Sequence, residues 1–184
     1  MRPVSALVSN HLVLVSSLVM IACSASGQVD EFSIYRVVLD EAISFHLNQS
    51  IFEGRTTLLV TSKLNWHDPD HRGPPRWSYD GQHPDHLLSD LINAGVIDST
   101  CSMGEGPAGG CQESPERLIV SVTGLNTSQE GKHRCEVLVR APYDRAVPGI
   151  GERVRMSYYV LIEYVVEGQG ESTRIVEKNV ILIA

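Results

Sequence analysis

"RVRMSYYVLIEYVV", Arg153 to Val166, is the stretch that decides the fold. Side chains alternate along an extended chain, so Met156, Tyr158, Val160, Ile162 and Tyr164 share one face. Tyr159, Leu161 and Val165 share the other. The first set reads as core. The second needs cover from a helix, a loop or a partner, because a strand that is apolar on both sides must be buried on both. Neighbouring segments carry the same period. "RLIVSVTGL" (Arg117–Leu125) and "RCEVLVRAP" (Arg134–Pro142) read as strands separated by the turn "NTSQEGKH". "YDRAVPGIGE" reads as a loop, and "STRIVEKNVILIA" closes a final hairpin around "EGQGE". In "RCEVLVRAP", Cys135, Val137, Val139 and Ala141 fall on one face, so Cys135 reads as a buried, inert thiol. Arg134, Glu136 and Arg140 fall on the other, and the alternating basic pairs Lys132/Arg134 and Arg153/Arg155 read as solvated faces.

Working outward to the first half, the period changes to that of a helix. Asp30 caps a helix that runs to about His46, with Phe32, Tyr35, Val38, Leu39, Ala42 and Phe45 as its apolar stripe. "NQSIFEGR" breaks it, and "TTLLVTS", Thr56 to Ser62, reads as a strand. Pro84 suits the first position of a second helix, "PDHLLSDLINAG". Leu87, Leu88, Leu91 and Ile92 are its stripe, and Gly95 is its stop. Residues 97–116 read as a small-residue loop. Helices early and antiparallel strands late argue for an α+β fold: an N-terminal helix, a second short helix and a mainly antiparallel sheet in the C-terminal half. Residues 28–184 form a single domain on this reading. A ligand pocket lined by Tyr35 and Tyr158 between the first helix and the sheet is weighed against a filled core there.

The beginning of the chain points to export. Arg2 precedes "LVLVSSLVMIA", Leu12 to Ala22, an uncharged run too short to span a bilayer, which takes about 20 residues. Residues 1–22 therefore read as a signal peptide and stand outside the fold. "MIAC", Met20 to Cys23, resembles the lipobox of bacterial lipoproteins, although Met20 stands where Leu is usual. The resemblance implies that Cys23 is the lipidated first residue of the mature chain. Cleavage near Ala25 or Gly27 is the alternative. Of the four cysteines, Cys101 and Cys111 bracket "SMGEGPAGG" and read as a disulfide in an oxidising compartment. The net charge of -7 at pH 7 argues against a nucleic-acid partner, which needs a positive footprint. The partners expected are the membrane, through the anchor, and an envelope protein.

"IYRVVLDEA" (Ile34–Ala42), "VSVTGLN" (Val120–Asn126), "EVLVRAPY" (Glu136–Tyr143) and "YYVLIEYV" (Tyr158–Val165) resemble the first helix and closing strands of a family of exported bacterial proteins, many of them lipoproteins. The family has no established activity. The resemblance therefore implies export and fold, and supplies no site residues.

One stretch carries candidate chemistry. "WHDPDHRGPPRWSYDGQHPDH", Trp66 to His86, holds four of the seven histidines. His67 and His71 lie four apart, His83 and His86 three apart, with aspartates between. Imidazole and carboxylate together suit Zn²⁺. The competing reading is a solvated, proline-broken loop, and it comes first, because Pro69 denies His67 and His71 a shared helix. "GEGPAGG" is not followed by Lys-Ser/Thr, so it is no phosphate-cradling loop. No G-x-S-x-G elbow and no H-E-x-x-H occurs. The function these observations favour is a non-enzymatic binding or interaction module of the cell envelope. The alternative is a metal-binding protein or metal-dependent envelope hydrolase using His67, His71, His83 and His86.

Overall fold

The computed structural model describes residues 29–49, 52–66, 77–103, 110–128, 131–146 and 153–183. In chain order the elements are α1 (Glu31–Leu47), β1 (Thr56–Val60), β2 (Ser62–Trp66), β3 (Trp77–Gln82), α2 (Asp85–Asn93), β4 (Ser99–Cys101), β5 (Arg117–Val122), β6 (Asn126–Thr127), β7 (His133–Ala146), β8 (Arg153–Glu167), a 3₁₀ turn (Gly170–Ser172) and β9 (Arg174–Ile183). The fold is α+β, as the sequence indicates.

The main sheet runs β4-β1-β5-β7-β8-β9, with β6 also paired to β7. Its spine is the β7–β8 ladder, continuous from His133 opposite Val166 to Ala146 opposite Arg153. Each neighbouring pair in β5-β7-β8-β9 is antiparallel, whereas β1 lies parallel to both β4 and β5. The sheet is thus mixed, and it recruits two strands from before residue 102. The hydrophobic pattern marks a segment as a strand but does not choose its neighbour.

The face of the sheet that meets the helices, here the inner face, buries Leu59, Val120, Val122, Cys135, Val137, Val139, Ala141, Val160, Ile162 and Tyr164. α1 covers it with Tyr35, Val38, Leu39 and Ala42, and α2 with Leu87, Leu88 and Leu91. Tyr35 and Tyr158 take part in this packing, so the space between helix and sheet is filled core. The ends of both helices follow local chemistry. Asp30 accepts from the Ser33 amide at 3.2 Å and from the Ser33 hydroxyl at 2.6 Å, satisfying an orphan donor of the first turn. Pro84 is the residue before α2, and Gly95 just beyond its end holds φ +70°, which a side chain would strain.

The outer face is covered by an antiparallel hairpin of β2 and β3. Leu64 and Tyr79 from the hairpin seal Leu138 and Leu161 of the spine. The Tyr79 hydroxyl lies 3.1 Å from the Ser121 hydroxyl, so a polar pair is closed inside this contact. This is the cover that the second face of Arg153–Val166 demands.

Several expectations are corrected. The ends of the His-rich stretch are not loop, since Trp66 and Trp77 close the β2–β3 ladder. Residues 97–116 contain β4, and Tyr143–Ala146 extend β7. Phe45 is 45% exposed, and His46 takes the buried position in its place. Met156 is 39% exposed because the spine there runs past the end of β9. Arg140, on the charged face of β7, is 8% exposed, and its guanidinium lies 3.8 Å from Glu113 Oε1. Alternation assigns faces but does not see a distant segment folding over one of them.

Leu39→Ala is expected to cost about 2–5 kcal/mol of unfolding free energy, the range for truncating a fully buried leucine. Phe45→Ala removes an exposed ring held over Lys178 Nζ at 4.6 Å. It is expected to cost about 1 kcal/mol or less. Urea unfolding of the two variants checks both values.

Candidate functional site

The candidate residues divide around the start of α2. Gly81, at φ +65°, allows the irregularity that ends the β2–β3 ladder, where register slips between Ser62 and Leu64. The chain then ties back to β1, with the His83 amide donating to the Thr61 carbonyl at 2.9 Å. This places the His83 side chain in the core. Its ring meets the Tyr35 ring edge-on, with centroids 5.5 Å apart at 84°. The Tyr35 hydroxyl donates to the Thr123 carbonyl at 3.0 Å.

His83 is 2% exposed. Burial lowers its pKa from 6.5 to about 4, against the opposing effect of a backbone hydrogen bond to Val122 and with a smaller push from Lys63. The imidazole is therefore neutral at pH 7. Its Nε2 has no hydrogen-bond partner among the described residues.

His86 occupies the first turn of α2 and is exposed. It opens onto a cleft of about 640 Å³ between the starts of the two helices, beside Asp30, Glu31 and Asp90. His83 and His86 therefore do not share an environment. His67 and His71 lie outside the described residues, as does Cys23. Among the described residues, no group of three or more His, Cys, Asp or Glu side chains is placed to hold a metal ion.

The cysteines separate into two chemistries. Cys101 and Cys111 form a disulfide that ties the end of β4 to the segment leading into β5. Cys101 packs with Leu58, Val60 and Ile119. Cys135 is a free, buried thiol on the inner face. Burial pushes its pKa up to about 12, with Glu136 adding to the rise, so it is protonated and unreactive at neutral pH.

Two polar groups were not singled out from the sequence. His46 is fully buried, its Nδ1 2.6 Å from the Ala42 carbonyl, among the rings of Phe45, Phe52 and Tyr158. Burial lowers its pKa, and Lys178 adds to that. Its spacing of four from Ala42 was the available signal. The second is a bridge on the outer face. Glu113 lies at 3.8 Å from Arg140 and accepts from the Ser157 hydroxyl at 3.1 Å. Nothing in the local pattern of these three residues announces that they meet.

Comparison with family models, with curated proteins and with solved structures found no match to this chain.

The buried histidine has a measurable consequence. His83 is neutral in the folded chain down to about pH 4, whereas unfolded it takes up a proton near 6.5. The unfolded state binds more protons between those values, so stability is complete above the upper pH and falls as pH drops toward the lower one. At about 1.4 kcal/mol per pH unit the loss is on the order of 3 kcal/mol. His46 acts in the same direction. Urea midpoints at pH 7 and pH 4.5 are expected to differ less in His83→Gln than in the native chain; an equal difference would contradict the assignment. Reducing the disulfide is expected to cost up to about 3 kcal/mol on the chain-entropy argument, read from urea unfolding with and without reductant.

Proposed function

We propose that this chain is an exported protein of the cell envelope, directed there by residues 1–22 and held to the membrane by a lipid on Cys23. The folded part then works as a binding or interaction module. The observation that carries export is the Cys101–Cys111 disulfide, standing in the same chain as an uncharged run, Leu12 to Ala22, that leads into Cys23. Disulfides form and persist in oxidising compartments and are rare in a reduced cytosol. With Cys101 and Cys111 paired and Cys135 buried, Cys23 is left as the cysteine available to carry a lipid. A single acyl chain holds a protein only marginally, so stable anchoring calls for a second hydrophobic contribution, as lipoprotein processing supplies.

The binding reading rests on where the perturbed groups sit. Functional sites gather groups with shifted pKa values in a cleft. Here Tyr35, Tyr164, Cys135 and His83 are shifted chiefly by burial, and all four belong to or line the inner core. Their shifts are the ordinary consequence of packing against a sheet.

A second reading has its own observation. His86 faces a cleft that also holds Asp30, Glu31 and Asp90, next to the His/Asp-rich stretch. These described side chains are not grouped so as to hold an ion by themselves, so a Zn²⁺ site here would take further ligands from His67 and His71. On that reading the chain is a metal-dependent hydrolase of the envelope.

The mature protein is expected to begin at a lipidated Cys23 and to partition with the membrane fraction. Cys23→Ala is expected to move it to the soluble fraction; retention of that variant in the membrane would sink the anchor. Zn²⁺ titration of the untagged protein is expected to give no stoichiometric binding. Tight binding lost in both His67→Ala and His86→Ala would favour the hydrolase instead.

A further inference from the structure

The β7–β8 ladder outruns the sheet it belongs to. β9 ends at Ile183, opposite Val160, yet β8 goes on pairing with β7 back to Arg153. Its edge from Arg153 to Tyr159 therefore has no strand beside it among the described residues. Alternate residues of such an edge turn their N–H and C=O away from the partner strand. The other edges of the main sheet are blunted, as exposed edges usually are. β9 has two breaks in its register, and β4 is three residues long. On the β7 side of the same arm Pro142 has no N–H, and its carbonyl accepts from Arg55 Nη1 at 2.7 Å. The β8 stretch, "RVRMSYY", contains no proline, and its ladder with β7 is unbroken.

This open edge is apolar on one face. Val154, Met156 and Tyr158 alternate onto the inner side. Val154 is 48% exposed, Met156 39%, and Tyr158 half-buried.

We propose that the edge pairs antiparallel with the same edge of a second copy, joining two arms into a ribbon β7-β8-β8-β7. A twofold contact is isologous: where residue i meets j, j meets i. β9 blocks the edge at Val160, so the register that uses the whole stretch centres on Met156. Met156 then stands opposite its own copy, and Val154 opposite the second copy's Tyr158. Both exposed apolar side chains leave water against apolar neighbours. On the outer face Arg155 stands opposite the second copy's Ser157. The Ser157 hydroxyl donates to Glu113 of its own chain at 3.1 Å, so the pairing brings Arg155 beside a carboxylate, once in each direction. The charges on this face allow it. Arg140 lies 3.8 Å from Glu113 and Arg155 3.5 Å from Asp144 within one chain, two balanced pairs. Arg153 stands opposite Tyr159, and Arg155 is only diagonal to its own copy, so no like charges are directly opposed. The stretch is thus complementary to itself, which makes the second copy its occupant. The inference goes beyond the export reading and stands apart from it, since no residue of the anchor takes part.

The test is cysteine trapping and sedimentation equilibrium of the purified mature protein. Met156→Cys meets its own copy at the axis, where opposite Cβ atoms lie about 4.5–5.5 Å apart, near disulfide reach. Added oxidant is expected to link it into a dimer. Val180→Cys, on β9 and half exposed, is expected to stay unlinked, with the native chain as background. Sedimentation of the native chain is expected to show a reversible dimer. Met156→Lys sets two ammonium groups face to face and is expected to abolish it, whereas Val180→Lys keeps it. Both positions are exposed, and circular dichroism checks that each variant folds. A native chain that stays monomeric at every concentration overturns the proposal. So does a dimer that Met156→Lys spares or Val180→Lys dissolves. Failure of Met156→Cys to link, or equal linkage through Val180→Cys, overturns it as well.

Discussion

The rest of the structure depends on the need to bury both sides of the β7–β8 ladder. Cys135, Val137, Val139, Ala141, Val160, Ile162 and Tyr164 face one way, and Leu138 and Leu161 the other, all of them buried. A two-stranded ribbon alone is marginal in water. Cover must therefore come from elsewhere in the chain, and it does so asymmetrically. α1 and α2 pack on the inner face, while a short hairpin covers Leu138 and Leu161 on the outer one.

The same constraint explains the buried polar groups. A helix laid on a sheet carries whatever stands on its apolar stripe into the core, and His46 goes in with Ala42. The chain return from β3 to α2 carries His83 in beside Tyr35. Each ring is kept neutral, because desolvation disfavours the charged form. On the outer face the cost of burying Arg140 is offset by Glu113, which also holds Ser157. These groups shape the acid stability and the rigidity of the molecule, and their environment is packing.

Much of this was legible from local pattern. α1, α2, β5, β7, β8 and β9 follow from periodicity, and Asp30 and Gly95 from the demands of helix ends. The disulfide followed from a Gly-rich loop between two cysteines. What escaped is non-local. Phe45 and His46 are adjacent on the helix, about 100° apart, and only the position of Tyr158 and Phe52 decides which of them goes inward. The β2–β3 ladder closes across a long insertion that carries no turn signal of hairpin type, so its arms read as loop. β1 reads as a strand, but its parallel partners β4 and β5 lie far along the chain. The candidate metal residues were legible only as composition, and spacing alone placed His83 and His86 together when burial sets them apart. The cross-strand row of Asn126, Arg134, Val165 and Glu177 joins four strands, so no single stretch of sequence contains it.

Native-state hydrogen exchange tests the central claim most directly. If the doubly covered ladder holds the fold, the hydrogen-bonded amides of Val137–Ala141 and Val160–Tyr164 exchange only through global unfolding. Their opening free energies then equal the stability from urea unfolding, and those of β2, β3 and β9 lie below it. Exchange from the ladder through a partial opening, while β1 or the β2–β3 hairpin stays protected, would contradict the account.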